Sequence, residues 1–362
     1  MRVLVVNAGS SSLKLRVVGA DGELTGRADL AAPHGTIDQE QLAAELPGLG
    51  EADAVGYRIV HGGTYFTQPV RVDDRVVARL AALTDLAPLH QPKSLASLAA
   101  VRQALPELPG VACFDTAFHA GMPAAAATYA LPREWRQRWA LRRYGFHGLS
   151  HSYVSRRAAE LVAEGPAGRI VTCHLGAGAS LAAVRDGVSV DTTMGFTPLE
   201  GLVMATRSGT VDPGLVLWLA EHAGTPSAEL AATLEHRSGL LGLAGTADMQ
   251  AVVAGRQAGE EAAELAFAVY IHRLRGQIAA MAAALGGLDV LVFTGGVGEN
   301  SPQVRAAAAA GLSFLGVELD PAANTAAAGE QDIGRPGAAV RSFVIPARED
   351  LEIAAQTRAV LG

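Results

Sequence analysis

The stretch VLVVNAGSSSLKLRVV, Val3 to Val18, places two apolar runs on either side of a turn made of glycine, serine and one lysine. Both runs have the branched and leucine-rich composition that is typical of buried strands. Glycine lets the backbone approach a ligand, and successive backbone N–H groups in a turn can bind an anion. The serine hydroxyls add donors, and Lys14 adds a compact positive charge. The pattern therefore predicts a polar, anionic group in this turn.

Two further loops have a related form. The segment CHLGAGASLAAVRDG (173–187) repeats the order strand, glycine and serine turn, strand, and this weak duplication indicates two similar domains. Two ordinary hairpins are the alternative interpretation. The segment FTGGVGENSPQVRAAA (293–308) predicts a strand, a glycine loop and a helix, which is the form of a nucleotide site. The chain has no GxxxxGK(S/T) motif, so the three loops indicate a polyphosphate site that is not a P-loop.

The composition limits the class of protein. The 362 residues suffice for two domains, and 49% hydrophobic with 18% charged residues is typical of a soluble globular protein. The net charge is −7 and no basic stripe or polybasic run occurs, so neither nucleic acid nor a membrane is an expected partner. Cys113 and Cys173 follow apolar runs and are predicted to be reduced, buried thiols. No signal peptide or membrane segment is predicted, so we expect a cytoplasmic protein.

Short strand-like runs alternate with alanine-rich segments that have helical spacing. This alternation predicts an α/β architecture with largely buried sheets. The helical segments are 94–105, 152–164, 214–223 and 260–285. The last of them is predicted to be a central helix that packs on a sheet.

Several polar residues lie at strand ends or in turns flanked by glycine, where α/β proteins place their sites. They are Arg58, His90, Asp115, His147, Arg207 and Glu349. His61, His119 and His151 are interpreted as structural. From these residues alone, the prediction is a two-domain, nucleotide-dependent phosphotransferase.

Nine segments of the chain resemble the acetate kinase family and occur in the family's order. They are NAGSSSLK, RIVHGG, LAPLH, DTAFH, RYGFHGLSH, HLGAGAS, DTTMGFTPLEGLVMATRSG, SGLLGLAGTADM and FTGGVGEN, and the resemblance spans residues 3 to about 354. It implies an α/β fold of two related actin-like (ribonuclease H-like) domains around a nucleotide cleft, each a mixed sheet flanked by helices. The implied domains are 1–119 plus 353–362 and 120–352, the second carrying most of the nucleotide site.

The resemblance implies reversible, Mg²⁺-dependent transfer of the ATP γ-phosphoryl group to acetate by direct in-line attack, giving acetyl phosphate and ADP. Mn²⁺ could replace Mg²⁺, and the family usually forms homodimers through the second domain. Arg58, His147 and Arg207 would surround the transferring phosphoryl group, and Arg58 would also hold the acetate carboxylate. Asn7 and Glu349 would anchor the metal. Asp115 is the family's acid/base candidate, but acetate is already ionised, so orienting a metal-bound water is the role that we expect.

The remaining site residues are also carried over from the resemblance. The acetate site would consist of Arg58, Val60, Leu89, His90, Phe146 and Pro198. The nucleotide site would consist of Lys14, His174, Leu175, Gly176, Ala177, Gly178, Asp248, Met249, Gln250, Gly296, Val297, Gly298, Glu299 and Asn300.

Five positions depart from the usual family pattern. Ala177 stands where asparagine is usual, Gln250 replaces an arginine, and Leu149 replaces a small hydroxyl residue. Gln91 and Ser94 occupy positions where asparagine is usual. These changes leave open a kinase that prefers propionate or a longer acid, or one that uses pyrophosphate. A non-catalytic, nucleotide-binding regulator is a third alternative, which the intact catalytic positions disfavour.

Overall fold

The stretch Val3–Val18 forms an antiparallel hairpin in the computed structural model, which describes residues 1–9, 12–32, 37–87, 91–162 and 165–362. The Gly9 N–H donates a hydrogen bond to the Ser12 carbonyl oxygen at 2.8 Å, which closes the described part of the turn. The strands are β1 (Val3–Ala8), β2 (Ser12–Val18), β3 (Leu24–Ala31), β4 (Ala54–Ile59), β5 (Val70–Arg71), β6 (Gly110–Phe114), β7 (Arg169–Leu175), β8 (Ala179–Arg185), β9 (Val188–Thr192), β10 (Val290–Thr294), β11 (Gln331–Asp332) and β12 (Arg341–Val344).

Helices lie between and after these strands. They are α1 (Gln39–Glu45), α2 (Asp74–Ala81), α3 (Gln91–Ala104), α4 (Ala124–Ala127), α5 (Arg133–Trp139), α6 (Gly148–Leu161), α7 (Pro213–His222), α8 (Ser227–His236), α9 (Gly239–Ala244), α10 (Met249–Gln257), α11 (Glu261–Leu285), α12 (Gly295–Asn300), α13 (Pro302–Ala310), α14 (Pro321–Ala326) and α15 (Glu349–Leu361). Within the described ranges, no helix has both the length and the apolar character that crossing a membrane requires.

Contacts between residues divide the chain into two units. Unit 1 comprises Met1–Ala120, Phe146–Tyr153 and Arg348–Gly362, and unit 2 comprises Gly121–Gly145 and Val154–Ala347. The domains implied by the resemblance, 1–119 plus 353–362 and 120–352, stay a prediction. Unit 1 differs from the first of them chiefly in also containing Phe146–Tyr153 and Arg348–Glu352.

Each unit contains one mixed six-stranded sheet, and the two sheets have the same topology. The orders are β3-β2-β1-β4-β6-β5 in unit 1 and β9-β8-β7-β10-β12-β11 in unit 2. In each sheet, the first three strands in this order alternate in direction, and the next two run parallel to the third (β1 or β7). A two-residue antiparallel strand forms the last edge. The predicted α/β fold of two related mixed sheets is therefore confirmed.

The long helix α11 packs on the second sheet, as its apolar spacing predicts. Phe267, Ile271, Leu274 and Ile278 are all buried, and their spacing of four, three and four residues places them on one helix face. The helix contacts β7, β8 and β9. The facing strand β8 is rich in alanine, and these small side chains let the helix lie close to the sheet.

The C-terminal helix α15 packs on the first sheet and depends on one glycine. A Cβ at Gly56 of β4 would lie 2.5 Å from both Ile353 Cγ2 and Thr357 Oγ1, so only glycine allows this approach. Ile353 belongs to a core that includes Val3 and Val111 of β1 and β6. This packing brings the first residues of α15 to the edge where β1, β4 and β6 end.

Both cysteines are buried within central strands. Cys113 lies in β6 and Cys173 in β7, and neither forms a disulfide. Burial raises the pKa of both thiols, which favours the neutral form. The prediction of buried thiols that form no disulfide is confirmed.

Candidate functional site

Polar side chains from three parallel strands and one helix meet at one edge of the first sheet. Asn7 lies near the end of β1, Arg58 near the end of β4, and Asp115 directly after β6. Because β1, β4 and β6 run parallel, their carboxyl ends share this edge. Glu349, the first residue of α15, reaches the same place. Four of the predicted site residues are therefore neighbours in unit 1.

Arg58 is at the centre of this cluster. Its Nη2 lies 2.7 Å from Asp115 Oδ2, and its Nη1 donates to Asn7 Oδ1 at 3.0 Å. The same Nη1 is 3.5 Å from Glu349 Oε2, which also accepts a hydrogen bond from Asn7 Nδ2 at 2.8 Å. The Asp115 side chain is 2% exposed, and those of Arg58 and Glu349 are 16% and 15% exposed. The Arg58 guanidinium therefore contacts two carboxylates and one amide in a cluster that is largely shielded from solvent.

The charges of this cluster are strongly coupled. Burial raises the pKa of the Asp115 carboxyl, Arg58 lowers it, and the Glu349 carboxylate raises it further, so the net direction is upward. Burial alone would lower the pKa of the Arg58 guanidinium, but the Asp115 and Glu349 carboxylates outweigh this and raise it. A second cation near the two carboxylates would therefore favour the ionised form of Asp115.

His147 lies next to this cluster with a left-handed backbone. Its φ is +56°, which is uncommon for a residue other than glycine and is often found at functional sites. The following Gly148 donates its N–H to the Asp115 carbonyl oxygen at 2.9 Å, and a Cβ there would lie 2.2 Å from that oxygen. The close contact between Gly148 and the Asp115 backbone therefore fixes the position of the His147 backbone beside the cluster.

Two of the predicted acyl-pocket residues lie in the same unit. Val60 is half-buried directly after β4, and Phe146 is buried with its ring 5.6 Å, centroid to centroid, from the His61 ring. The Gln91 amide accepts from the His61 N–H and donates to the His61 carbonyl oxygen, both at 3.1 Å. Gln91 therefore fastens the backbone beside Val60, which gives this departure from the family pattern a structural role. Leu89 and His90 lie outside the described residues.

Acid should destabilise the protein through two histidines beside Phe146. His61 and His119 are fully buried, and burial lowers the pKa of each from 6.5 to about 4. Because both values lie below that of the unfolded chain, this stability is complete above pH 6.5 and is lost as pH falls towards 4. We expect the free energy of unfolding to fall by up to about 3 kcal/mol per histidine over this pH range. Urea unfolding at about pH 7.5 and about pH 4.5 measures it.

The matched variant for this acid effect is His119→Gln, whose amide can still donate to the Phe146 carbonyl oxygen, 3.1 Å from His119 Nε2. It should lose less stability on acidification than the unmodified protein. Equal losses in the two proteins would contradict the assignment to His119.

The oxygen atoms of the Arg58 cluster fit a magnesium ion. Asn7, Asp115 and Glu349 offer one amide and two carboxylate groups, and magnesium binds few protein oxygens while keeping several waters. With Arg58 the formal charge of the cluster is −1, which attracts a cation. Among the described residues, no group of three or more histidine, cysteine, aspartate or glutamate side chains is arranged for a metal, and Asn7 supplies the third oxygen-bearing group of this set.

In unit 2, the predicted phosphate turn and the glycine loop follow neighbouring strands. The turn His174–Gly178 ends β7, and Gly295 opens α12 directly after β10, with Thr294 paired to His174. Gly295 has a φ of +77°, and a Cβ there would lie 2.8 Å from the Leu175 carbonyl oxygen. The structure therefore brings these two predicted segments together.

The Glu299 side chain holds the glycine loop internally. Its Oε1 accepts hydrogen bonds from the Gly295 N–H at 2.9 Å and from the Ala347 N–H at 3.0 Å. Asn300 Nδ2 donates to the Gly296 carbonyl oxygen at 2.9 Å. Glu299 and Asn300 thus shape the loop through their side chains, and a direct contact with nucleotide stays a prediction.

The other predicted nucleotide residues are more dispersed. Lys14 of β2 is exposed and pairs with Asn7 across the β1–β2 hairpin of unit 1. Asp248 caps α10 by accepting the Gln250 N–H at 2.9 Å, and Met249 is buried. Each of these contacts is one that the fold itself requires, so the nucleotide roles of these residues stay predictions.

Arg207 of unit 2 is held by an acidic residue that the sequence patterns do not indicate. Its Nε lies 3.1 Å from Glu235 Oε2, with both side chains largely buried, and its Nη1 lies 3.5 Å from the Pro198 carbonyl oxygen. A Cβ at Gly239 would lie 2.7 Å from the Arg207 carbonyl oxygen, so the turn after α8 packs tightly on this segment. Glu235 is 28 residues from Arg207 in sequence, and no local motif connects them.

A second network in unit 2 shapes the loop that carries Pro198. Arg143 donates to Glu200 Oε1 at 2.6 Å and to the carbonyl oxygens of Thr193 and Met194 at 3.1 Å. The Tyr129 hydroxyl donates to the other oxygen of Glu200 and accepts the Phe196 N–H. The loop is therefore held from both sides by residues outside it.

A cavity of about 530 Å³ lies beside α13 in unit 2. Small apolar residues such as Ala306, Ala309 and Pro321 line most of it, and Arg335 and Glu318 form an ion pair at 2.7 Å on its wall. None of the predicted site residues that the structure describes lines this cavity.

Comparisons with known proteins agree with this architecture. The model of the acetokinase family matches residues 29–355. The chain is 45% identical to the acetate kinase of a Synechococcus strain, over 98% of each chain, and 45% identical to that of Clavibacter michiganensis, over 99% and 98%. The structure resembles Porphyromonas gingivalis acetate kinase (36% identity, TM-score 0.91, all of both chains) and a Francisella tularensis propionate kinase (34%, 0.91, 99% of both).

The two mixed sheets share one topology, with the Arg58 cluster at the edge of the first and the turn His174–Gly178 and the glycine loop after strands of the second. Together with the family match, this architecture defines the class of actin-like phosphotransferases. The matched length and the identities place the chain more narrowly. It belongs to the acetokinase family.

Proposed function

We propose that this protein is an acetate kinase, which transfers a phosphoryl group reversibly between ATP and acetate. The observation that carries this proposal is the 45% identity to an acetate kinase over 98% of both chains. The intact cluster of Asn7, Arg58, Asp115 and Glu349 supports a catalytic rather than a regulatory protein, since a binding scaffold needs no such constellation.

The proposed reaction forms one bond and breaks one bond at phosphorus. An acetate oxygen attacks the γ-phosphorus of ATP, and the bond to the β,γ-bridging oxygen breaks, so acetyl phosphate and ADP leave. Acetate is ionised at neutral pH, and no proton has to be removed from it. Asp115 is therefore not required as a base, and its place beside Arg58 and Glu349 supports a role in orienting metal-bound water.

The protein's contribution is positioning and charge stabilisation. The transferring phosphoryl group resembles metaphosphate, with charge on its equatorial oxygens. We assign Arg58, His147 and Arg207 to this charge, because guanidinium forks match carboxylate and phosphate oxygens in geometry. Arg58 would also bind the acetate carboxylate, and the methyl group would contact Val60, Leu89, Phe146 and Pro198. His90 is assigned to the same acetate site.

Asn7 and Glu349 would hold a magnesium ion, with Asp115 acting through water. When bound, this ion would neutralise charge on the ATP phosphates. Mn²⁺ has similar preferences for oxygen ligands and could replace it.

For ATP, we assign the phosphates to Lys14, to the turn His174–Gly178 and to the loop Gly296–Asn300. The nucleoside is assigned to Asp248, Met249 and Gln250. Ala177 and Gln250 each remove one side chain that the family pattern would place near the nucleotide. A lost hydrogen bond typically costs about 0.5–1.5 kcal/mol, so weaker ATP binding is expected rather than a different donor.

The test is an assay that traps acyl phosphate as the hydroxamate, with purified protein and Mg²⁺. Acetate, propionate, butyrate or no acid is combined in turn with ATP or pyrophosphate. The proposal predicts most product from acetate with ATP, partial activity with propionate, and none without an acid. One methylene changes affinity for an apolar pocket by about 1–3 kcal/mol, so discrimination is incomplete. Product only with pyrophosphate, or none with any acid, would contradict it.

We also propose that the protein forms a homodimer through α7. Leu215, Leu217 and Trp218 of this helix are 48%, 63% and 52% exposed, an unusual concentration of apolar surface. Leu202 and Met204 of the same unit, by contrast, are buried within the chain and offer no such surface. Light scattering should give twice the mass of one chain, and Leu217→Glu should give one chain mass. A single-chain mass for the unmodified protein would contradict the proposal.

A further inference from the structure

Arg305 of α13 is the largest fully buried side chain in the described part of the protein, with 1% exposure. An arginine is rarely buried to this extent unless its charge is compensated, because removing a guanidinium from water is costly. Its acceptors are four oxygens of the same unit. They are the carbonyl oxygens of Gly298, Glu299 and Asn324 and the side-chain oxygen of Asn324.

Two of these acceptors belong to the glycine loop. Arg305 Nη1 donates to the Gly298 carbonyl oxygen at 2.9 Å and to the Glu299 carbonyl oxygen at 2.8 Å. Both oxygens lie in the last turn of the short helix α12, where carbonyl groups lack partners within the helix. A cation at this end is also favoured by the helix dipole. The buried Arg305 side chain therefore caps the carboxyl end of α12.

The other two acceptors tie the same guanidinium to α14. Arg305 Nε donates to Asn324 Oδ1 at 2.7 Å, and Nη2 donates to the Asn324 carbonyl oxygen at 2.6 Å. Asn324 Nδ2 in turn donates to the carbonyl oxygen of Pro302, the first residue of α13, at 3.0 Å. All three guanidinium nitrogens therefore donate hydrogen bonds. Because Asn324 fixes the guanidinium group, the group in turn restrains the carbonyls of Gly298 and Glu299.

All four acceptors are neutral, and within the part of the chain that the structure describes no carboxylate forms an ion pair with Arg305. Burial lowers the pKa of Arg305, in contrast to Arg58, whose neighbouring carboxylates raise it. The loop therefore carries a desolvated positive charge beneath its backbone. A charge placed there adds attraction for an anion at the loop, in addition to fixing the shape of the backbone.

We infer that Arg305 is a positioning residue for nucleotide: it fixes the carbonyls of Gly298 and Glu299, and through them the backbone of the loop Gly296–Asn300, while Asn324 orients its guanidinium. This inference rests on the proposed function, which assigns that loop to ATP. Arg305 itself makes no contact with substrate in this account.

The experiment measures ADP binding by titration calorimetry together with steady-state kinetics. In Arg305→Met, the Kd for ADP and the KM for ATP should rise about tenfold, while the KM for acetate changes less than about twofold. Arg305→Lys should recover part of this loss, because a lysine can reach the loop carbonyls but cannot also bind Asn324. Equal values of Kd in the unmodified protein and Arg305→Met would overturn the inference.

Arg275→Met is the matched control. Arg275 is half-buried on α11 and donates from Nε to the Ala307 carbonyl oxygen of the same helix α13 at 2.9 Å. It makes the same type of bond without reaching the glycine loop. The control should lower the thermal midpoint and leave the Kd for ADP unchanged. A rise in Kd equal to that of Arg305→Met would reduce the role of Arg305 to general stability and overturn the inference.

Two further measurements keep the inference testable if Arg305→Met does not fold or if the unmodified protein shows no catalytic activity. Asn324→Ala leaves both loop carbonyls available to Arg305 and removes the side-chain acceptor of Arg305 together with the hydrogen bond from Asn324 Nδ2 to Pro302, so the Kd for ADP should rise about threefold. An unchanged Kd in this variant would overturn the inference. If the unmodified protein binds ADP but makes no acyl phosphate, the proposed function fails while the ADP titrations still test Arg305. If it does not bind ADP, both fail.

Discussion

Arg58→Met is expected to lower kcat/KM for acetate by about 10³-fold or more and to destabilise the fold by about 3 kcal/mol. The guanidinium contacts Asn7, Asp115 and Glu349, so its removal disperses the cluster as well as the proposed acetate contact. It also leaves the Asp115 carboxyl, which is 2% exposed, without its cation. Urea unfolding and the hydroxamate assay on the same preparation measure the two effects.

The double variant Arg58→Met with Asp115→Asn separates these two effects. Removing both charges should restore much of the lost stability, because the most deeply buried carboxylate, that of Asp115, is then absent as well, while Glu349 keeps its hydrogen bond from Asn7. Activity should stay as low as in the single variant. If the double variant recovered activity together with stability, Arg58 would be a structural residue and its assignment to phosphoryl transfer would be wrong.

Arg207→Ala should lower kcat by about 10³-fold with little change in the KM for ATP, and it should also destabilise the protein, because the largely buried Glu235 carboxylate loses its cation. An arginine that stabilises the charge of a transferring phosphoryl group contributes about 10³–10⁵ in kcat. Arg207→Lys should recover little, since an ammonium group cannot replace the planar fork. Full kinetics in both substrates, with the thermal midpoint as a check on folding, measure this effect. A raised KM at unchanged kcat would contradict a role in the transition state.

Two neighbouring substitutions serve as controls for Arg207. Glu235→Gln keeps an oxygen 28 residues away that can accept from Arg207 Nε, so kcat should fall by less than about tenfold. Arg237 lies two positions further on, is 58% exposed and pairs weakly with Glu229 at 3.5 Å. Arg237→Ala should therefore behave like the unmodified protein, and a loss comparable to that of Arg207→Ala would point to a general electrostatic effect.

The sequence predicted the fold well because its signals are local. The alternation of strand-like and helical runs, and the recurrence of the strand–turn–strand pattern, correspond to two sheets of identical order. The two-residue edge strands β5 and β11 were not predicted, since two residues carry no periodicity. The contact of Gly56 with α15 was also beyond prediction, because it joins residues that are distant in sequence.

The candidate site was predicted in part, and the missing part has a common cause. Asn7, Arg58, Asp115 and Glu349 are adjacent because they end parallel strands or begin the helix packed on them. Glu235 and Arg305 were not identified as site residues, because only the folded chain brings each of them to its partner.

The most direct test of the central claim is a phosphorus NMR spectrum of ATP, Mg²⁺ and acetate incubated with the unmodified protein. Acetyl phosphate and ADP should appear in equal amounts, and added ADP and acetyl phosphate should give ATP in return. Inorganic phosphate and ADP without acetyl phosphate would show an ATPase and contradict transfer to a carboxylate, as would a spectrum in which ATP is unchanged.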